Sequence, residues 1–163
     1  MPVKIKNNRL PRGLSRLAFR LPIWLYHAGV GRILGTRFVL LTHTGHNSGL
    51  LRQSVLEVVR YDKPSGNCII ASGWDDRSDW FKNVVANPQI TFQVGDRRVA
   101  GTAKRLPTEA AARELLDYAR QHPLAFGELA NFMGYRLDGT DDDICAAGRM
   151  LPMFILRPAP QNS

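Results

Sequence analysis

The spacing of apolar side chains divides the chain into segments of two different periods. From Pro11 to Leu34, the residues Leu14, Leu17, Ala18, Leu21 and Leu25 recur three and four positions apart, while Arg12, Arg16 and Arg20 step by four along another face. That spacing predicts an amphipathic helix with a basic stripe, kinked or restarted at Pro22 and ended by Gly29, Gly31 and Gly35. Beyond the glycines the period becomes that of strands. Arg37–His43 and Arg52–Arg60 are rich in β-branched and apolar residues and flank Thr44-Gly45-His46-Asn47-Ser48-Gly49, so together they read as a hairpin with a wide turn. A turn over Asp62–Gly66 leads into a short buried strand, Asn67–Ser72. Ser78 is placed to cap a helix through Ala86, with Asp79 in its first turn and Trp80, Phe81, Val84 and Val85 as its apolar stripe.

In Gln89–Val94 polar and apolar residues alternate, which predicts a strand with one wet face, and the Gly95-Asp96 turn returns it as Arg97–Arg105. A charge-laced helix follows, capped by Thr108 and supported by Glu109 and Arg113 four positions apart. His122-Pro123 breaks it, and a second helical piece reaches about Met133. The acidic loop Asp138–Asp143 caps a last short helix, and Leu151–Leu156 reads as a closing strand. The expected class is α+β: about six mostly antiparallel strands closed into a small barrel, with helices at the amino terminus and between hairpins, because tight turns need no crossover helices and closure hides the edges. One domain over residues 11–157 is expected, between a basic amino terminus of ten residues that frays and a tail over residues 158–163. No Gly-rich strand-to-helix turn with a downstream acid occurs, which excludes a dinucleotide-binding Rossmann unit.

The 163 residues, 44% hydrophobic and 22% charged, suit one soluble globular core. Charge sharpens the picture. The net +8 is uneven: residues 1–60 hold 10 basic residues and only Glu57 as an acid, leaving 12 basic and 13 acidic residues for 61–163. Such asymmetry points to a local anionic partner, whether nucleic acid, an anionic membrane or a phosphorylated ligand. The basic stripe, with Trp24 beside it, fits either a helix laid on the core or one lying on a membrane surface. Nucleic acid is disfavoured because the basic region lacks interleaved exposed aromatics. No run of about 18 apolar residues exists, and the first residues lack the order of a signal peptide, so a cytoplasmic location is expected. Cys68 and Cys145 read as buried thiols in a reducing compartment, and His27, His43, His46 and His122 show no metal-ligand spacing. No Gly-x-Ser-x-Gly elbow, Cys with a nearby His or carboxylate pair offers nucleophilic or acid–base catalysis.

Chemistry is concentrated in the hairpin loop from Thr44 to Arg52. Its two glycines let successive backbone N–H groups converge on an anion, and Arg52 could clamp that anion with two parallel hydrogen bonds. The alternative is a solvated hairpin loop.

The run Leu41-Thr42-His43-Thr44-Gly45-His46-Asn47-Ser48-Gly49-Leu50-Leu51-Arg52 resembles the L-T-T-x-G-R-K-[ST]-G-x-x-R signature of the deazaflavin-dependent nitroreductase family, a branch of the flavin and deazaflavin oxidoreductases. Further matches follow in order: Ile69–Gly73, Asp79–Val84 with Ala86-Asn87-Pro88, Ala103-Lys104-Arg105 and Leu151-Pro152-Met153, so that the similarity covers about residues 20–157. The resemblance implies a split β-barrel that transfers hydride from a reduced deazaflavin coenzyme of the F-420 type to an electron-poor acceptor such as an enone, quinone or nitroaromatic. It further implies that His46, Asn47, Ser48, Gly49 and Arg52 hold the phosphate-bearing tail, with Thr44 and, on the returning strand, Val55 also among the coenzyme-binding residues. Ala71, Ser72 and Gly73 would lie along the ring, and Trp80 and Asn83 would reach the site. By its spacing alone, Trp80 is either core or ring contact. Ser72 and Tyr135 are the candidates for a proton donor.

Two departures bear on the coenzyme. His46-Asn47 stands where the signature has Arg-Lys, and Gly73 where some members carry a Lys, so fixed cations are lost that Lys82 or Arg77 would have to replace. Flavin mononucleotide (FMN), with a shorter anionic tail, is therefore the alternative cofactor. The expected partners are the phosphorylated coenzyme, a small hydrophobic acceptor and a second copy of the chain in a homodimer. A non-catalytic lipid-associated protein on an anionic membrane surface is the rival from another class.

Overall fold

The structure is a computed structural model that describes residues 3–4, 27, 35–72, 78–133 and 135–160. Except for His27, the predicted amino-terminal helix and its basic stripe lie outside these residues, as do Gly73 and Arg77.

Six strands close into an antiparallel barrel. In chain order the strands of the fold are β1 (Val3–Lys4), β2 (Phe38–Thr44), β3 (Leu51–Tyr61), β4 (Cys68–Ala71), β5 (Gln89–Val94), β6 (Arg97–Arg105), β7 (Tyr135–Arg136) and β8 (Met153–Pro158). The barrel runs β2-β3-β4-β8-β6-β5 and is sealed where Leu40, Leu41 and Thr42 pair with Gln93, Phe92 and Thr91. This is the expected architecture. β1 pairs with β7 in a separate two-residue ladder, so part of the amino terminus expected to fray is paired instead.

Strand alternation sorts the apolar residues into two cores. Val39 and Leu41 of β2, Cys68 and Ile70 of β4, Phe92 of β5, and Phe154 and Leu156 of β8 fill the barrel. The intervening Ile69, Met153 and Ile155 point outward beneath two helices, α2 (Thr108–Gln121) and α4 (Asp141–Met150). That double coverage explains why the closing strand reads as an unbroken apolar run rather than an alternating one. At Val58 and Val59 both neighbours are buried: Val58 joins the barrel core and Val59 the helix-covered one, where the pairing of β3 with β4 shifts register. Burial of Cys68 pushes its thiol up to about 12, so it behaves as an apolar filler.

Close approach dictates two glycines. A Cβ at Gly148 would lie 2.6 Å from the Cα of Ala112, because α2 and α4 cross there with almost no side chain between them. At Gly101 a Cβ would run into the Arg157 carbonyl of the neighbouring strand. Polar ties secure α2 to β3: Arg60 binds Glu114 through two bonds of 3.0 and 2.9 Å, and Tyr118 Oη donates to Glu57 at 3.0 Å.

Local details depart from the sequence reading. Helix α2 has Pro107, not Thr108, at its N-cap position, and Glu109 bonds Arg149 of α4 at 2.8 Å because that helix end brings a guanidinium to it. Thr140 caps α4 by accepting from the Asp143 N–H, with Asp141, Asp142 and Asp143 in the first turn as the dipole favours. In α1 (Asp79–Ala86), Val85 is 61% exposed and leaves the apolar stripe, since the buried face is set by Trp80, Phe81, Asn83 and Val84. Between α2 and β7 lies α3 (Pro123–Met133).

Candidate functional site

The wide loop between β2 and β3 spans Gly45–Leu50 and is built largely from its own hydrogen bonds. Gly45 N–H donates to the Leu50 carbonyl at 2.8 Å, Gly49 N–H to the Gly45 carbonyl at 2.8 Å, and Leu50 N–H to Ser48 Oγ at 3.2 Å. Gly45 accommodates Ser48, whose Oγ would lie 2.5 Å from a Cβ there, and Gly49 has φ +72, a left-handed geometry that other residues rarely adopt. The backbone N–H groups of Asn47 and Ser48 have no acceptor among the described residues.

A buried side chain from α1 ties this loop to the barrel. Asn83 is 3% exposed, and its Oδ1 accepts from the His46 backbone N–H at 2.9 Å and lies 2.6 Å from His46 Nδ1. Its Nδ2 donates to His43 Nδ1 at 2.9 Å, and His43 Nε2 lies 3.1 Å from Ser54 Oγ. His43, 2% exposed, is held neutral: burial lowers its pKa to about 4, opposed by the Asp79 carboxylate and reinforced by the Arg52 guanidinium. Sequence reasoning did not single out His43 or Ser54 as parts of this site. The available signal was the alternation Leu41, His43 on β2, which directs a histidine into the barrel end beside the loop.

The predicted site residues fall on two faces of the hairpin. His43 and Leu41 pair with Arg52 and Ser54 across the ladder and share the inner face, with Arg52 exposed at its end. Thr44 and Val55 lie on the other face, with Thr42 and Gln53; Gln53 donates to Thr42 at 3.4 Å and its Oε1 lies 2.7 Å from His27 Nε2. His46, Asn47, Ser48 and Gly49 are exposed in the loop. Ala71 faces the helix-covered core.

Ser72 and Ser78 bracket residues 73–77. Ser72 is fully buried, its N–H donates to the Pro152 carbonyl at 2.9 Å, and its Oγ lies 3.2 Å from Ser78 Oγ. Ser78 thus occupies the N-cap position of α1 without a side-chain cap bond, because its hydroxyl is turned toward Ser72. Trp80 is 4% exposed and packs edge-on against Phe154 with centroids 5.5 Å apart, a core position. Tyr135 lies in β7, paired with Lys4. Among the described residues no group of three or more His, Cys, Asp or Glu could hold a metal ion, and no helix is long and apolar enough to cross a membrane.

Comparisons with known proteins agree with this architecture. The family model described as F420H(2)-dependent quinone reductase matches residues 19–135. A solved F420-H2 dependent reductase, FDR-A, is similar at 26% identity, with 74% of this chain and 94% of that chain covered and a TM-score of 0.50. A solved domain-swapped dimer is 22% identical over 89% of this chain and 100% of that chain, with a TM-score of 0.53. The protein Atu2129 of unknown function from Agrobacterium tumefaciens is 13% identical, covers 95% of this chain and 59% of its own, and has a TM-score of 0.54. None of the curated proteins compared with the chain matches it.

Proposed function

We propose, because the chain belongs to the F420H(2)-dependent quinone reductase family, that it reduces a small hydrophobic, electron-poor acceptor such as a quinone, enone or nitroaromatic, with its coenzyme anchored by the Gly45–Leu50 loop. The chain is an oxidoreductase, and the family's coenzyme is the deazaflavin F-420. When bound, the reduced deazaflavin supplies the hydride.

The observation that carries the site is the tie from buried Asn83 to His46, which fixes the shape of an exposed loop that would otherwise be held only locally. The donor set fits an anionic tail. Asn47 and Ser48 offer consecutive backbone N–H groups, Arg52 adds a fixed cation, and residues 44–52 contain no carboxylate. Lys82, exposed on the same helix as Asn83, is a further cation within the reading. Ser72 and Gly73 with Trp80 are proposed to border the ring; Ser72 and Trp80, buried as they are, would act as its supporting wall rather than through exposed polar contacts, and Ala71, which faces the helix-covered core, would back that wall from behind. Thr44 and Val55 would flank the loop from the opposite face of the hairpin. The proton that accompanies hydride transfer would come from solvent or from Tyr135.

Parallel titration of the purified protein with reduced and oxidised deazaflavin and with FMN tests this reading. Micromolar binding of the deazaflavin with much weaker FMN binding is the expected result, followed by oxidation of the reduced form on adding a quinone. The reading fails if neither coenzyme binds more tightly than about millimolar, some 4 kcal/mol of binding free energy. Tight FMN binding alone would transfer the same loop to a flavin. A homodimer is part of the proposal, supported by the domain-swapped dimer among the similar structures, and sedimentation analysis would detect it.

A further inference from the structure

Asn83 stands between two histidines, and the direction of every bond around it follows from one donor that has no alternative. A backbone N–H only donates, so the Asn83 atom facing His46 N at 2.9 Å is Oδ1. The amide nitrogen must then face His43, whose Nδ1 accepts at 2.9 Å. With Nδ1 accepting, the proton of the neutral His43 ring sits on Nε2, which donates to Ser54 Oγ at 3.1 Å. On the other side a carbonyl oxygen only accepts, so His46 Nδ1, 2.6 Å from Oδ1, carries a proton. One chain of bonds therefore joins Ser54, His43, Asn83 and His46 with its ring protons assigned.

Both histidines stand where the signature has other residues: His43 at its second threonine and His46 at its arginine. We propose that His43 is a positioning residue for the coenzyme loop: acting through Asn83, it keeps His46 protonated at Nδ1 and leaves Nε2 as the ring nitrogen open to a ligand, accepting from a ligand hydroxyl when the ring is neutral and donating to an anion when the ring carries a second proton. The inference rests on the reading of this loop as the coenzyme site. His43 is itself almost fully buried, so its effect passes through Asn83 and not through a contact of its own with ligand. Without an acceptor at His43, the Asn83 NH2 would be buried and unpartnered on that side, and of the two bonds that orient the amide only the one from the His46 backbone N–H would remain. The loop would then present an imidazole free to rotate and to exchange tautomers, in place of one fixed nitrogen.

Two substitutions separate positioning from packing. Glutamine at this position offers an acceptor to Asn83 and a donor to Ser54, as the histidine does, whereas leucine offers neither. Long-range proton–nitrogen correlation spectra of histidine-labelled protein report the ring protonation of His46 directly, with or without coenzyme. The wild type and H43Q should show His46 protonated at Nδ1, and H43L should show a mixture of tautomers. Reduced deazaflavin should bind H43L about tenfold more weakly than wild type and H43Q within about threefold, with the change in KM for coenzyme following the binding constant. A native spectrum with His46 protonated only at Nε2 would overturn the proposal, as would a folded H43L that keeps both the Nδ1 proton and the wild-type affinity. Should H43L fail to fold, the native spectrum and H43Q decide: loss of the His46 pattern in a normally melting H43Q counts against the proposal. Failure of the coenzyme reading looks different, since the wild type would then bind no coenzyme whatever its tautomers.

Discussion

The hairpins β2–β3 and β5–β6 lie side by side in one barrel, yet they reverse the chain by different means. The second closes directly after the Val94–Arg97 pair through Gly95 and Asp96, with Gly95 at φ +62 and Gln93 Nε2 donating to the Gly95 carbonyl at 3.0 Å. Backbone geometry is sufficient there. The first has six residues between its last pair, Thr44–Leu51, and closing six residues rather than two costs about 1 kcal/mol more in chain entropy by the logarithmic rule. Its shape draws on a buried asparagine from a separate helix. A tie of that kind adds nothing to strand register, which the Leu41–Ser54 and His43–Arg52 pairs already set. The difference teaches where to look for function: one hairpin is as short as a barrel needs, and the other is held, beyond that need, in a particular shape.

Removing the tie is the most severe way to break this contrast. Asn83→Ala leaves the His46 N–H and His43 Nδ1 without their partner and opens a buried space, so we expect a loss of about 3 kcal/mol in urea unfolding. Deazaflavin binding should fall by more than tenfold at temperatures where the variant is still folded. Unchanged affinity in a folded Asn83→Ala protein would show that the loop keeps its shape unaided, as the short turn does.

Acid should act through His43. Its pKa in the folded chain is about 4, below the 6.5 of an exposed imidazole, so the unfolded state binds more protons between those values. Stability contributed by the neutral ring is therefore fully present above pH 6.5 and is lost as pH falls toward 4. Between pH 6.5 and 5 the wild type should lose about 1.5 kcal/mol more than H43Q, which has no such group to titrate. Parallel denaturant melts across that range would measure it, and identical slopes would place the titrating group elsewhere. Nothing comparable is expected of the β5–β6 turn, where no histidine is present.

Arg52→Ala sharpens the contrast from the ligand's side. The guanidinium is exposed at the end of the inner face, so its removal should leave the melting temperature nearly unchanged while weakening coenzyme binding about tenfold. The same change at exposed Arg98 of β6 should alter neither quantity measurably.

Much of this contrast was legible in the sequence because it depends on local patterns. Alternation in Gln89–Val94 announced a half-wet strand, Gly95-Asp96 a two-residue turn, and the cluster Thr44–Arg52 a loop with more polar groups than a turn requires. The tie was not legible as such. It joins His43 and His46 to a residue about forty positions later, and no periodicity states that the polar side of an otherwise apolar helix will face a loop. The resemblance pointed to Asn83 without saying what it holds. Capping and charge pairs failed for a related reason: Glu109 could reach Arg113 along its own helix, but a neighbouring helix brought Arg149 nearer, and Ser78 had Ser72 as a competitor for its hydroxyl. Short-range rules lose wherever tertiary structure supplies another partner.

The smallest effect is also the most direct comparison. Gly49 and Gly95 sit at the ends of the two hairpins with φ of +72 and +62, and a Cβ at Gly49 would meet nothing within 4 Å while one at Gly95 would only just reach the Gly35 carbonyl, 4.0 Å away. Steric crowding is therefore absent at both, and alanine at either position should cost about 1 kcal/mol for the left-handed backbone alone. Denaturant midpoints should shift by similar amounts. Coenzyme affinity should separate them, because strain at Gly49 can relax only by moving a loop whose shape matters, whereas strain at Gly95 relaxes into solvent-facing turn. A several-fold loss for Gly49→Ala with none for Gly95→Ala would locate function in the wide hairpin independently of any charged or hydrogen-bonding side chain. Equal affinities would mean that the loop's side chains bind while its backbone path is incidental.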